Sequence, residues 1–260
     1  MTREAFQGTL TIFNGHPTDA MDSLSVELLI TDENGIPSND LFQIETQDLT
    51  NLNNVTGTGA IPAQQEGAAQ FLFIPEIQAA PTAPKLYNFG GTIRYFDPYA
   101  QAMVALPLNP VPLTVKPSPN LMLHYFLERN ILGDDALTSP QIEPSVPAEL
   151  AVMIQNEGYG PAVNVAISSA QPEIIENESG VEINFELIGS NFQGQPVNLG
   201  VTNISFGNVP PLQTRIGQWY LTSSLLGKFV NYEANVVHAN SYGNPDLSLI
   251  QVWVKHLLKQ

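Results

Sequence analysis

The chain has 260 residues, with 25 acidic and 9 basic side chains, a net charge of −16 and no cysteine. This balance argues against nucleic acid and anionic lipid as partners, because both are bound through patches of Lys and Arg, and the lack of cysteine excludes disulfides and thiolate metal sites. Hydrophobic residues make up 43% of the chain, which is enough for a packed core, and no run of 18 apolar residues predicts insertion into a membrane.

The first half is dominated by short segments in which apolar and polar residues alternate, the pattern of a half-buried β-strand. Asp32–Gly35 interrupts them as a turn, with Gly35 expected at positive φ. The stretch Thr46–Gly67 is rich in Asn, Thr and Gly and predicts a long surface connection. Strands are predicted at Gly8–Phe13, Leu24–Thr31, Leu41–Glu45, Ala69–Ile74, Ile93–Phe96 and Leu113–Val115.

Five prolines crowd the segment Leu106–Leu121, between the two halves of the chain. Proline lacks a backbone N–H and disfavours helices and central strands, so this segment is expected to be extended or to form an edge strand. We place a domain boundary near Lys116–Pro119, which divides the chain into residues 1–116 and 117–260. A Pro-rich linker is semi-rigid and should hold two modules in a preferred orientation.

One segment of the second half, Ala148–Gln171, carries the clearest local signal. Its sequence AELAVMIQNEGYGPAVNVAISSAQ contains two runs of alternating apolar residues, separated by Asn156–Pro161. This pattern predicts a hairpin-like strand–turn–strand unit, in which Gly158 and Gly160 serve the backbone conformation. The first half contains a looser echo of it at Phe13–Ser25, where a strand again ends in Asn before a turn.

The other segments of the second half are mostly strand-like as well. Only Ser223–Leu226 and Val252–Leu258 have helical patterns. Many short strands, frequent Gly and Pro turns and no alternation of strands with helices predict an all-β fold. We expect two tandem antiparallel β-sandwiches of the immunoglobulin-like kind, the second with a C-terminal extension. Further strands are predicted at Leu121–Glu128, Gly180–Ile188, Val201–Phe206, Gln218–Ser223 and Lys228–Ala239.

Five short motifs follow one another along the second half of the chain. A Pro-x-Leu-x-Leu strand comes first, then a strand ending in Asn-x-Gly-x-Gly-x-Ala, a turn with Pro, an aromatic strand and a Gly-aromatic strand. Their positions are Pro119–Leu123, Asn156–Ala162, Val209–Pro211, Gln218–Leu221 and Gly227–Phe229. Over residues 117–240 the chain thereby resembles a bacterial module of the CARDB type, the cell-adhesion-related domain found in bacteria. It departs from that pattern at Gln171–Gln195, and the first half resembles such a sandwich more weakly.

The resemblance implies a role without catalysis. Modules of this kind serve as spacers, stalks or binding decorations in large surface proteins. We therefore expect a structural or adhesion module, extracellular or at the cell surface, that contacts other protein modules or cell-surface ligands. No signal peptide is visible at the N-terminus, so the chain is expected to be a segment of a longer protein. The alternative is a carbohydrate-binding accessory module of a multidomain secreted protein.

Catalytic motifs are missing from the sequence. It contains no His-Glu-x-x-His, no Gly-x-Ser-x-Gly and no dinucleotide Gly-x-Gly-x-x-Gly. No two histidines have the spacing of metal ligands; the four are His16, His124, His238 and His256. An enzyme would need a concave pocket with converging titratable groups, and no motif predicts one.

Acidic turns are the candidates for binding a metal ion. Calcium takes six to eight oxygen ligands, and loops at the ends of sandwiches supply them. The candidate ligands are Asp32, Asp134, Asp135, Glu176 and Glu178. No EF-hand spacing is present, and the alternative is that these carboxylates are solvated turn residues that oppose aggregation.

Aromatic residues are the candidates for binding a ligand. Tyr95 and Tyr99 lie in the cluster RYFDPY, and Tyr220 and Tyr242 lie in the second half. Exposed tyrosines stack on sugar rings, whereas buried ones pack in the core. Trp219 and Tyr220 are neighbours in a predicted strand and so face opposite sides. The resemblance implies that Trp219 is the buried one, because the aromatic strand of that family is buried.

Overall fold

The structure is a computed structural model that describes residues 1–138, 140–168, 183–197, 203–228 and 250–258. It is all-β, as predicted, with two short 3-10 turns at Asn39–Leu41 and Ile77–Ala79. The chain divides into two compact units, the first unit Met1–Ser118 and the second unit Pro119–Gln260. The strands are β1 (Phe6–Phe13), β2 (Met21–Asp32), β3 (Phe42–Thr50), β4 (Thr56–Ile61), β5 (Glu66–Pro75), β6 (Lys85–Asp97), β7 (Ala102–Val115), β8 (Leu121–Glu128), β9 (Asn130–Ile131), β10 (Ala148–Asn156), β11 (Ala162–Ser168), β12 (Phe185–Phe192), β13 (Gln195–Val197), β14 (Asn203–Val209), β15 (Thr214–Ser223), β16 (Gly227–Lys228) and β17 (Ile250–Leu258).

The first unit is a sandwich of two antiparallel sheets, with strand orders β1-β5-β3 and β4-β2-β6-β7. Along β1 and β5 the more buried residues alternate with the more exposed ones, and aromatic rings of the two sheets meet between them. Phe73 on β5 and Phe89 on β6 lie 5.2 Å apart between ring centroids, in a T-shaped arrangement. Gly35, in the turn after β2, has φ of 78°, as predicted.

The Pro-rich segment, predicted to be extended or an edge strand, belongs to the edge strand β7 as far as Val115, and residues 116–120 lie outside any strand. The prediction of a long surface connection at Thr46–Gly67 is wrong, because β3 extends to Thr50, β4 lies wholly inside the stretch, and β5 begins at Glu66. Its Asn, Thr and Gly content concealed the end of β3, all of β4 and the start of β5, which are stabilised by pairing with strands elsewhere in the unit.

The second unit packs a six-stranded sheet, ordered β13-β12-β15-β10-β8-β17, against the pair β11-β14. Trp219 on β15 is fully buried in this core, as predicted. Val252–Leu258 is not helical but belongs to β17, which runs parallel to β8. Ser223–Leu226 is not helical either, since it comprises the end of β15 and an isolated bridge at Leu225.

The prediction of a hairpin at Ala148–Gln171 is wrong in its pairing. Both strands form, but β10 pairs with β15 and β8, whereas β11 pairs with β14 in the opposite sheet. The turn between them therefore crosses from one sheet to the other. Gly158 and Gly160 do not have positive φ; they are buried, and the carbonyl of Gly160 accepts a hydrogen bond of 2.9 Å from Asn156 Nδ2.

The predicted strands at Gly180–Ile188, Val201–Phe206 and Gln218–Ser223 correspond to β12, β14 and β15, with shifted bounds. Residues 180–182, 201–202 and most of the prediction at Lys228–Ala239 lie outside the described residues.

A buried asparagine closes the corner between the two sheets of the first unit. Nδ2 of Asn14 donates to the carbonyl oxygens of Ile61 and Pro62, at 2.9 and 3.1 Å. Its Oδ1 accepts the N–H of His16, at 3.0 Å. Its own N–H donates to the carbonyl of Gln65, at 2.9 Å. One side chain thus ties the end of β1 to the turn between β4 and β5.

Asn156 closes the corner of the second unit in the same way. Its Nδ2 donates to the carbonyls of Val209 and Pro210, at 3.1 and 3.2 Å, and its Oδ1 accepts the N–H of Gly158, at 3.0 Å. Its N–H donates to the carbonyl of Gln213, at 2.9 Å. The echo predicted from sequence is therefore a repeated three-dimensional corner.

Candidate functional site

An apolar cavity of about 390 Å³ opens in the first unit between β1 and β7. These two strands are edges of opposite sheets, so the cavity lies where the sandwich is open along one side. We call it the β1–β7 cleft. It is lined by Phe6, Gln7, Gly8, Thr9, Leu10, Leu28, Ile30, Phe71, Phe73, Phe89, Gly90, Leu108, Asn109, Val111 and Leu113.

Three phenylalanine rings form the centre of the cleft. The Phe6 ring stacks on Phe73 with centroids 5.3 Å apart and meets Phe89 edge-on at 5.4 Å. None of the lining residues carries a titratable side chain. The cleft therefore offers apolar surface to a ligand, and its lining supplies no general acid or base.

The backbone along the outer edge of β1 has no partner among the described residues. Asn14, which follows β1, donates its N–H to the carbonyl of Gln65, which precedes β5. Along an antiparallel pair every second residue hydrogen-bonds to the partner strand. The even-numbered residues of β1 therefore bond to β5. The N–H and C=O groups of Gln7, Thr9 and Thr11 therefore point away from β5. This edge of the cleft is able to bind another strand.

The opposite edge of the cleft is different in kind. β7 carries prolines at Pro107, Pro110 and Pro112. Proline cannot donate a hydrogen bond, and its presence on an edge strand opposes the addition of a further strand. Of the two edges of the cleft, therefore, the β1 edge suits backbone pairing, and it has no partner strand in the part of the chain that the structure describes.

The predicted calcium ligands Asp134 and Asp135 act as hydrogen-bond acceptors within their own loop. Asp134 Oδ1 accepts the N–H of Glu143 at 2.9 Å, and Asp135 Oδ1 accepts the N–H of Leu137 at 3.0 Å. Glu143, which the sequence did not single out, accepts the N–H of Asp135 and the hydroxyl of Thr138, at 3.1 and 2.9 Å. These bonds lower the pKa of Glu143 below its ordinary value, the Asp135 N–H being the main cause.

Asp32, the candidate of the first half, is also engaged by its turn. Its Oδ1 accepts the N–H groups of Asn34 and Ile36, at 2.8 and 2.9 Å, and these bonds, above all that from Ile36, lower its pKa. Across the part of the chain that the structure describes, no three His, Asp or Glu side chains are placed together to hold a metal ion. Glu176 and Glu178 lie outside the described residues.

The loop around Glu143 gives a test at acid pH. A carboxylate with a lowered pKa in the folded state stabilises that state above its ordinary pKa of 4.5, and the stabilisation is lost as pH falls through the lowered value. In an NMR titration, we expect the amide proton of Asp135 to shift with a midpoint below 4.5.

Glu143→Gln should remove this titration, because the amide side chain carries no charge. Glu157→Gln, at an exposed position of the same unit, is the matched control and should leave it in place. A midpoint at or above 4.5 would show that the loop does not stabilise the carboxylate.

The predicted ligand tyrosines do not come together. Tyr95 is partly buried against the core of the first unit. Tyr220 is half-buried on β15, with Asn191 Nδ2 3.4 Å from its hydroxyl. Tyr99 is 76% exposed in a turn and packs against one histidine ring, His16, at 4.5 Å between centroids. Tyr242 lies outside the described residues.

Two histidines that sequence spacing left apart are neighbours in the second unit. Nδ1 of His124 lies 3.3 Å from Nε2 of His256, and the His256 ring stacks on Phe126 at 4.7 Å. The parallel pairing of β17 with β8 brings them together. Predicting Val252–Leu258 as a strand could have indicated that His256 lies near His124, but the spacing of its apolar residues resembled that of a helix.

No family model and no curated protein sequence matches the chain. The CARDB resemblance therefore stays a prediction based on the motifs themselves. Among the described residues there is no helix that is both long enough and apolar enough to cross a membrane.

Proposed function

We propose that the chain is a non-catalytic structural and adhesion module of a larger bacterial secreted or cell-surface protein. Its role is spacing and protein–protein contact, and its contact site is the β1–β7 cleft. The single observation that carries this proposal is the cleft itself, an open apolar cavity beside a strand edge that pairs with no described strand.

The chemistry of the cleft favours a polypeptide over a sugar. Sugars are bound by exposed aromatic faces together with hydrogen-bonding side chains, whereas the cleft is lined mainly by aliphatic and phenylalanine side chains. Tyr99, the most exposed of the candidate tyrosines that the structure describes, is not part of its lining. Apolar side chains of a protein partner match this surface, and a neighbouring backbone edge adds main-chain hydrogen bonds.

The test is a selection of phage-displayed peptides on the full chain, run beside a glycan array. We expect enriched peptides with apolar residues at alternate positions and no glycan above background. Val111 lines the cleft and is 63% exposed, so Val111→Glu should leave the fold intact. It should weaken binding of a selected peptide about tenfold, because a buried unpaired carboxylate is costly.

Leu106→Glu is the matched control for this substitution. Leu106 lies on the same edge strand, is 47% exposed and does not line the cleft. It should change peptide affinity less than about twofold, as expected for a surface substitution away from the site. Equal losses for both variants, or glycan binding without peptide binding, would contradict the proposal.

A further inference from the structure

The two units share one strand plan. The order β1-β5-β3 of the first unit corresponds to β10-β15-β12 of the second, and the pair β2-β4 corresponds to β11-β14. The agreement extends to unusual backbone conformations: Ser23 and Asn164, two residues into β2 and β11, have φ of 53° and 54°. Gln64 and Leu212, in the turns closed by the buried asparagines, have φ of 58° and 59°.

β8 is one of the strands of the second unit that have no counterpart in the described part of the first unit. β8 pairs with β10 on the side opposite β15 and runs antiparallel to it. Its inward side chains fill the space between the sheets, and all four are buried: Leu121, Leu123, Tyr125 and Leu127. The corresponding edge of β1 pairs with no described strand, and the β1–β7 cleft opens beside it.

The register shows which backbone groups would meet such a strand. Asn14 and Asn156 occupy equivalent positions at the ends of β1 and β10. Thr9 and Ala151 each lie five residues before that asparagine and therefore correspond to each other. In the second unit, Glu157 donates its N–H to Asn120, just before β8, at 2.8 Å. The odd-numbered residues of β10 thus face β8, as the odd-numbered residues of β1 face the free edge.

The sequence of β1 lacks the usual protection of an exposed edge. Natural edge strands are shielded by proline, charged side chains or bulges. β1 is eight residues long, FQGTLTIF, with no proline and no charge, and its pairing with β5 has no irregularity. An unprotected edge beside an apolar cleft is typical of a site that is covered by another strand.

We propose that the first unit binds an extended strand from a separate protein molecule along β1, in the place that β8 occupies in the second unit. This inference rests on the proposed function and specifies the partner that the β1–β7 cleft binds. The bound strand runs antiparallel to β1, as β8 does to β10, and inserts alternate apolar side chains into the cleft. Because the chain carries a charge of −16, the partner strand has basic flanks, which speed and strengthen association at low salt.

The probe is a synthetic peptide of residues 119–128, PNLMLHYFLE, with two lysines added at each end. It is titrated into the ¹⁵N-labelled full chain, and amide exchange is followed residue by residue. The amides of Gln7, Thr9 and Thr11 should exchange at least about tenfold more slowly when the peptide is bound, since they gain hydrogen bonds. Those of Gly8 and Leu10 already bond to β5 and should change little. A peptide of the same composition without alternation should not bind.

Thr9→Pro removes one outward N–H and should weaken peptide binding by about tenfold or more, through the lost hydrogen bond and the steric block. Thr9→Val keeps the N–H and should change affinity less than about twofold. Replacing the two added lysines at each end of the peptide by glutamate should weaken binding at low salt. The loss of affinity should be smaller at 1 M salt, where charges are screened.

The outcomes separate this inference from the proposed function. Binding that depends on Val111 but not on the Thr9 backbone, without protection of the odd-numbered amides, overturns strand addition and leaves cleft contact in place. Binding of a fatty acid or another small apolar molecule in preference to the peptide overturns both. Failure of every alternating apolar peptide to bind also overturns both.

Discussion

Replacing Trp219 with alanine is expected to lower the free energy of unfolding of the second unit by about 3–5 kcal/mol, the range for truncation of a large buried aromatic side chain. Trp219 has no exposed surface and lies on β15, between β12 and β10. Its removal leaves a cavity that the surrounding strands fill only in part, because sheets joined by hydrogen bonds relax little. Urea unfolding of the full chain, with amide exchange resolved to each unit, measures the loss.

Tyr220→Ala is the matched control. Tyr220 is the next residue on the same strand, points to the opposite face and is half-buried. Its truncation should cost about 1 kcal/mol. Equal losses for the two variants would contradict the assignment of Trp219 to the centre of the core.

The Asn156→Asp substitution is expected to cost about 3 kcal/mol at neutral pH. It keeps the shape and the acceptor Oδ1 but turns a buried amide donor into a carboxylate oxygen facing the carbonyls of Gly160, Val209 and Pro210. Buried polar groups that lose their partners are costly, and a charged one more so. The pKa of the new carboxyl should be raised in the folded state. The loss of unfolding free energy should therefore shrink as pH falls through the raised pKa. Urea unfolding at pH 7 and at pH 5 measures both effects.

The repeated corner supplies its own comparison. Asn14→Asp should destabilise the first unit by a similar amount, because Asn14 is also buried and donates to two consecutive carbonyls. Asn203→Asp, at an exposed position on β14, should cost less than about 0.5 kcal/mol. A loss at Asn156 below about 1 kcal/mol, or one that grows on acidification, would show that the corner does not depend on this side chain.

Most of the strands were predictable because their signal is local. Where one face of a strand is buried, apolar residues recur at every second position, as in Leu121–Glu128 and Leu24–Thr31. Strand pairing is not local. The two strands of Ala148–Gln171 looked like a hairpin, yet they lie in opposite sheets, because β10 pairs with β8 and β15 whereas β11 pairs with β14.

The candidate site illustrates the same division. Those of the singled-out acidic and aromatic residues that the structure describes do not form one common site, because composition says nothing of which loops meet. The cleft was not predicted, since Phe6, Phe73 and Phe89 each look like ordinary core residues. Only the open side between two edge strands makes them the wall of a cavity.

By itself the sequence determined the all-β class and the echo between Asn14 and Asn156, and it indicated an extended or edge conformation for the Pro-rich segment. These follow from local chemistry: alternation, a turn-forming amide, and the missing N–H of proline. The burial of Trp219 was expected from the family resemblance. The tertiary structure alone decided which strands share a sheet, that His124 meets His256, and that one side of β1 pairs with no described strand. Those properties depend on contacts between distant segments, which no window of sequence contains.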